Sequence, residues 1–228
     1  MVSMAVLYVI GTPIGNLEDI TLRALRILNE VDLILCEDTR VTKRLLSHYG
    51  VPTPTTSYHA HTAISKASKI LDLLRGGKNI ALVSDAGTPA VSDPGSLLGS
   101  QVLASGVPVS VVSIPGPSAV TAAISVVGFP VSDFLFLGFL PHKKGRETLF
   151  KEIANSKYPT VFYESPHRIE KTLKSLSEHN IEKVVVAREL TKIYESILEG
   201  KPEEIWKHFT SHPEEVRGEF VVIASPRV

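Results

Sequence analysis

Strand-length apolar runs and helix-length periodic stretches take turns along the first half of this chain, and that alternation restricts the fold more than any other feature. Residues 6–10, 33–36, 80–83 and 109–114 are short, β-branched and bounded by turn formers, while 22–28, 42–49 and 64–74 repeat apolar residues at helical spacing. Parallel strands need a crossover of about a dozen residues or more, and a helix is the usual one. The pattern therefore predicts right-handed βαβ units and a mainly parallel sheet covered on both faces. Ile114-Pro115-Gly116-Pro117-Ser118 then interrupts it, and 119–127 looks helical. Two prolines and a glycine at a strand end mark a junction, which divides the 228 residues into an N-terminal α/β domain, 1–115, and a C-terminal domain, 116–228. Beyond the junction, strand candidates at 134–137, 160–163, 184–187 and 220–224 stand with helices at 147–154, 169–176 and 203–209. More strands than helices predict a mixed α/β or α+β second domain.

Composition narrows the function classes. Lysine plus arginine equals aspartate plus glutamate at 24 each, which excludes a uniformly basic nucleic-acid surface and leaves any polyanion to a local patch. Cys36 is the single cysteine, so no intrachain disulfide or multi-cysteine zinc site can form, and a reducing cytoplasm suits the chain. The first ten residues carry too short an apolar run to cross a bilayer and no basic lead, and no longer apolar run follows. A soluble cytoplasmic protein without a membrane partner is expected.

Chemistry is expected in the loops after the strands, since the carboxyl ends of strands in an open α/β sheet form the ligand crevice. Gly11-Thr12-Pro13-Ile14-Gly15-Asn16 follows the first strand. Glycine allows close backbone approach and proline pre-shapes the loop, but no Gly-Lys-Ser/Thr follows, so it is not a phosphate-cradling P-loop. On its own it reads equally as a tight turn. Ser84-Asp85-Ala86-Gly87-Thr88-Pro89 ends another strand, with Asp93-Pro94-Gly95 shortly after. Its small residues leave room for a flat or bent ligand, and Asp85 could face a ribose hydroxyl or a cation, or form only an Asx turn. Pro115-Gly116-Pro117-Ser118-Ala119 runs from a strand into a helix, where free amides can donate.

With these loops, further segments make the chain resemble the tetrapyrrole methylase superfamily, and within it the branch that methylates the ribose 2′-hydroxyl of cytidine in small-subunit (16S) ribosomal RNA. They are Thr12 to Leu17 with Asp19-Ile20-Thr21, Glu37-Asp38-Thr39-Arg40, Leu82 to Pro89, and Ala187 to Lys192, joined by Gly138-Phe139-Leu140-Pro141, Phe162-Tyr163-Glu164-Ser165 and Arg217-Gly218-Glu219. The similarity runs end to end. Porphyrin and corrin C-methylases of that superfamily carry Gly-Asp-Pro at the second loop, where this chain has Ser84-Asp85-Ala86-Gly87-Thr88-Pro89. The branch often continues past the Gly-Glu strand into a small helical appendage, whereas this sequence stops at Val228, four residues after Ala224.

The resemblance implies two α/β domains holding S-adenosyl-L-methionine in an interdomain cleft, a homodimer, and small-subunit ribosomal RNA within the assembled 30S subunit as substrate. It places cofactor contacts at Thr12, Pro13 and Gly15, at Asp85, Ala86, Gly87 and Thr88, at Ser118 and Ala119, and across the cleft near Tyr163 and Ala187. No metal is required for methyl transfer, an in-line displacement in which the protein aligns the attacking oxygen. A general base would assist by roughly 10²- to 10⁴-fold. The candidates are Glu37, Asp38, Glu189 and His59, with Glu189 and Asp38 ranked ahead of His59, and Arg188, Lys192 and Arg40 available to bind phosphate or acidify the hydroxyl.

Plainer readings attend other residues. His59 and His61 would share a face of an extended segment, but lack a third ligand and read as polar loop residues rather than a metal pair. Lys43-Arg44 reads as solvated surface, and His142-Lys143-Lys144-Gly145-Arg146 as either that or a phosphate contact. Cys36 and Trp206 read as core. The competing functions are a tetrapyrrole C-methyltransferase, which needs a wide apolar trough, and a non-catalytic ligand- or RNA-binding scaffold that keeps the loops without turnover.

Overall fold

A computed structural model describes residues 4–58, 63–92 and 96–225. The chain divides into two compact units, Met1–Ser118 and Ala119–Val228. The first alternates without exception: β1 (Ala5–Ile10), α1 (Leu22–Glu30), β2 (Leu33–Cys36), α2 (Thr39–His48), β3 (Thr55–Ser57), α3 (Ala63–Arg75), β4 (Ile80–Val83), α4 (Ser96–Ala104) and β5 (Val109–Ile114). All five strands are parallel, in the order β3-β2-β4-β1-β5. Thr21 starts α1 by accepting the Ala24 amide at 3.0 Å, and the Asp38 carboxylate starts α2 by accepting the Arg40 amide at 2.8 Å.

The two-residue period of the strands divides the core of this unit. Ile34, Cys36, Ala81 and Val83 pack with Ala24, Ile27 and Leu28 of α1 and Leu45 and Leu46 of α2. Their neighbours Leu35, Ile80 and Leu82 point the other way, against Ile70 and Leu74 of α3 and Leu98 and Val102 of α4. Both faces are therefore covered, as a parallel sheet requires. Each fully buried Leu or Ile contributes about 1.5–3 kcal/mol, so the continuous apolar strands supply much of this unit's stability.

The second unit contains α5 (Ala119–Ile124), β6 (Leu135–Phe139), α6 (Arg146–Ala154), β7 (Thr160–Glu164), α7 (Ile169–Glu178), β8 (Val184–Arg188), β9 (Ser196–Gly200), α8 (Pro202–Ser211) and β10 (Phe220–Ala224). Its sheet is mixed, in the order β6-β7-β10-β8-β9. β6 and β7 are parallel, β10 is antiparallel to both of its neighbours, and β9 is antiparallel to β8. β6, β7 and β8 consequently run the same way and end at one edge. Phe162, Val184, Val186, Phe220 and Val222 form one core with Phe150 of α6, Leu173 and Leu176 of α7, and Phe209 of α8. Among the described residues each unit has four α-helices, so strand direction, not helix content, separates the two.

Three elements have little signature in the sequence. β3 and β9 are edge strands, one only three residues long and the other alternating half-buried with exposed positions. In α4, Gly99 interrupts apolar residues spaced too irregularly to mark one face. Among the described residues no helix is long and apolar enough to cross a membrane.

Candidate active site

Because β4 lies between β2 and β1, and β5 flanks β1, the loops leaving β1, β4 and β5 emerge side by side at the carboxyl edge of the first sheet. Thr12 and Gly87 exchange backbone hydrogen bonds, Thr12 N to Gly87 O at 2.9 Å and Gly87 N to Thr12 O at 3.1 Å. The Thr12 hydroxyl donates to the Ser84 and Gly87 carbonyls at 3.1 and 3.2 Å. On the other side Gly11 N donates to Ile114 O at 3.0 Å. A Cβ on Gly11 would sit 2.8 Å from the Gly116 Cα, and one on Gly116 would sit 2.7 Å from the Gly11 carbonyl oxygen. Two backbones touch here, which only glycine permits. Gly87, at φ +77°, supplies the left-handed turn of the middle loop.

Asp85 ties in a fourth loop by accepting the Asp38 amide at 2.9 Å through Oδ1. It is half-buried and the adjacent Ala86 is exposed. None of the residues 11–16, 84–89 or 115–118 is a lysine or arginine, so the cluster presents carbonyl oxygens and one carboxylate without a fixed cation. Its one carboxylate can accept from a ligand hydroxyl or face a positive charge. Of the residues expected here, Thr12 and Gly87 meet through their backbones and Thr88 Oγ1 comes within reach of Gly11; Pro13, Gly15, Asp85, Ala86 and Ser118 belong to the same loops by sequence, and Ala119 opens α5. Asn16 and Thr21 act locally instead, the former accepting the Glu18 amide at 3.1 Å and the latter capping α1.

The catalytic candidates have well-defined partners. Asp38 is held to Arg40 by contacts of 2.6 and 3.1 Å, and that side chain together with the Arg40 amide lowers its pKa to about 2. In the second unit Glu189, at φ +51°, accepts from Lys192 Nζ at 2.7 Å and from the Glu219 amide at 3.0 Å. Burial pushes its pKa up, but Lys192, the Glu219 amide and Arg188 outweigh burial and leave it below the ordinary 4.5. Burial pulls Lys192 down and its two carboxylate partners more than compensate, so its pKa is raised. Arg188 is buried, donating to Arg217 O at 3.2 Å and Tyr194 O at 3.0 Å. Gly218 takes φ +84°, a left-handed backbone that glycine alone adopts easily, and a Cβ there would also displace the Glu189 carboxyl. Glu189, Arg188 and Lys192 thus form one network, while Asp38 belongs to the other unit. Tyr163, on β7, packs against Phe136 and Phe139 with ring centroids 5.2 and 5.3 Å away, and Ala187 is buried on β8.

Other expectations sort clearly. Arg146 does not belong to the exposed cluster 142–146: it is 8% exposed and turned inward, because its guanidinium is drawn to Glu164 and Thr172. Lys43 and Arg44 are exposed, Cys36 is fully buried and Trp206 packs partly buried against the second core. His59, His61 and Asp93-Pro94-Gly95 lie outside the described residues. A hollow of about 400 Å³ lined by Lys43, Leu46 and Thr53 lies by the C-terminal end of α2, opposite the edge where strand-end loops place chemistry.

The fold and the strand-end cluster define a class. Residues 6–205 match the family model of Tetrapyrrole (Corrin/Porphyrin) Methylases, and the chain belongs to that family. It is 45% identical over 223 residues to a Thermotoga maritima protein named Ribosomal RNA small subunit methyltransferase I, covering 97% of this chain and 99% of that one. A protein of the same name from Neisseria meningitidis serogroup B is 46% identical over 222 residues, covering 96% of this chain and 76% of that one. Among solved structures, a diphthine synthase superposes with a TM-score of 0.74 at 13% identity, covering 98% of this chain and 90% of that one. A cobalt precorrin-4 methyltransferase does so with a TM-score of 0.70 at 21% identity, covering 99% and 96%. These structures share the fold.

Proposed function

We propose that this chain transfers the methyl group of S-adenosyl-L-methionine to the ribose 2′-hydroxyl of a cytidine in small-subunit (16S) ribosomal RNA, acting as a cytoplasmic homodimer on the assembled 30S subunit. The carrying observation is the 45% identity, over nearly the whole of both chains, to a protein named for small-subunit ribosomal RNA methylation. The cation-free loop cluster supports it, because a sulfonium's positive charge favours carbonyl oxygens and the Asp85 carboxylate. When bound, S-adenosylmethionine supplies an electrophilic methyl carbon. Thr12, Gly87 and Gly116 would shape the backbone beside it, and Asp85 would offer an oxygen to a hydroxyl or the charge.

The attacking 2′-oxygen forms a bond to the methyl carbon as the carbon–sulfur bond breaks, and its proton must leave. Glu189 is the proposed acceptor, since both Asp38 oxygens are taken by Arg40 and the α2 cap, whereas the Lys192 and Glu219 bonds of Glu189 both fall on Oε1. Glu189 is ionised at neutral pH, and its lowered pKa makes it a mild base; Lys192 fixes its orientation.

The test is incubation with methyl-labelled cofactor and, in parallel, 30S subunits, naked 16S RNA and a porphyrinogen, followed by location of the label. Label on a cytidine ribose of the subunit is expected. Label on a macrocycle carbon would make the chain a tetrapyrrole C-methylase, and none anywhere would leave a binding scaffold. Glu189→Gln should slow turnover by about 10²- to 10⁴-fold with cofactor affinity unchanged; a loss under tenfold would assign it to positioning.

A further inference from the structure

We infer that the carboxyl edge of the second sheet is the surface that holds a single-stranded segment of the RNA, with the loops after β6 and β7 on phosphates and the turn after β8 stacked on an unpaired base. This rests on the ribosomal RNA reading above and names the surface it requires.

Topology assembles the edge. β6, β7 and β8 end on the same side of the sheet, and β6 and β8 are three strand spacings apart, roughly 14 Å. The β6 and β7 end is cationic. His142, Lys143, Lys144 and His167 are exposed, and neither residues 140–145 nor residues 165–168 include a carboxylate.

A buried cluster holds these loops. The Glu164 side chain is fully buried; it accepts from Thr172 Oγ1 at 2.6 Å and the Ser165 amide at 2.8 Å, pairs with the Arg168 guanidinium, whose Nε lies 2.7 Å away, and has Arg146 Nη2 at 3.5 Å. The same arginines reach the base of the lysine loop, Arg168 donating to Leu140 O at 2.8 Å and Arg146 to Pro141 O at 3.1 Å. The lysines therefore stand on a fixed support, which lowers the entropic cost of gripping a backbone.

The β8 end differs. Its carboxylates are matched locally: Lys192 binds Glu189 and Glu219 at 2.7 and 3.0 Å, and Glu195 accepts the Thr191 amide. At its tip Ile193 is 89% and Tyr194 69% exposed. Two non-glycine residues with left-handed backbone, Glu189 and Thr191, and the Arg188 bond to Tyr194 O hold that tip in place. Locally strained backbone that presents large apolar side chains to solvent marks a contact surface. Next to a lysine-bearing loop, its complement is a flat, uncharged face attached to a polyanion, which is an unstacked nucleobase.

The test measures affinity for 30S subunits and for a fluorescent oligocytidine 12-mer, alongside cofactor affinity and solution mass. Tyr194→Ala should weaken RNA binding by about 5- to 150-fold, Tyr194→Phe should stay within about twofold, and paired Lys143→Glu and Lys144→Glu should weaken it by at least tenfold, all with cofactor affinity unchanged. Variants that bind RNA and methylate subunits like the parent overturn the inference, as does a Tyr194→Ala effect on solution mass instead of RNA affinity. Failure of the parent itself to label RNA overturns the functional reading first, and this surface with it.

Discussion

At Gly11 and Gly116 two strand ends meet backbone to backbone, and neither residue tolerates a methyl group without moving the other. The Gly116 contact, 2.7 Å to a carbonyl oxygen, involves backbone on both sides and cannot relax by a rotamer change. Gly116→Ala is therefore expected to cost about 1–3 kcal/mol, seen as a lower thermal midpoint, and to weaken cofactor binding more than tenfold by separating the first and third loops. Gly99→Ala, inside α4 with nothing within 4 Å of the added methyl, is the control: it should leave cofactor affinity unchanged and raise the midpoint slightly, since alanine favours a helix by about 1 kcal/mol over glycine. An unaltered cofactor dissociation constant in Gly116→Ala would remove this loop from the site. The sequence marked these glycines as turn formers, but they stand 105 positions apart and nothing local announces that they touch.

Two elements of the second unit make the same point with charge. Arg146 follows two lysines and a glycine, and its neighbours read as solvated; the chain turns it inward because Glu164, eighteen positions later, is buried without water to solvate it. Removing that counter-charge leaves two inward-facing guanidiniums, so Glu164→Gln should destabilise the protein by about 3–5 kcal/mol in denaturant unfolding; a change below ~1 kcal/mol would mean that solvent reaches the cluster. The turn after β8 depends on ionisation. The pKa of Glu189 is depressed, so its contribution is full above the ordinary 4.5 and is lost as pH falls through the folded value. That of Lys192 is raised, so its contribution is full below the ordinary 10.5 and is lost as pH climbs through the folded value. Amide exchange across residues 189–195, corrected for intrinsic rates, should stay protected from about pH 5 to 9 and accelerate below about pH 4. Protection unchanged at pH 3 would show that the ion pairs do not hold the turn.

For the molecule as a whole, zero formal net charge means that any grip on RNA comes from local arrangement, and the cationic loops are offset elsewhere by carboxylates. The alternation of apolar runs and periodic stretches announced an α/β first unit, and a shift in that pattern announced a different second sheet. These are short-range properties: side-chain period, turn chemistry and the crossover length that parallel strands need are all written within a few dozen residues. Strand order was decided by the tertiary structure. β4 inserts between β2 and β1, which brings Thr12 to Gly87 and Asp38 to Asp85, and β10 pairs between β7 and β8, which sends three strand ends to one edge. Such pairings join positions tens of residues apart and are selected by burial over the whole sheet, a quantity that exists only once the chain has packed.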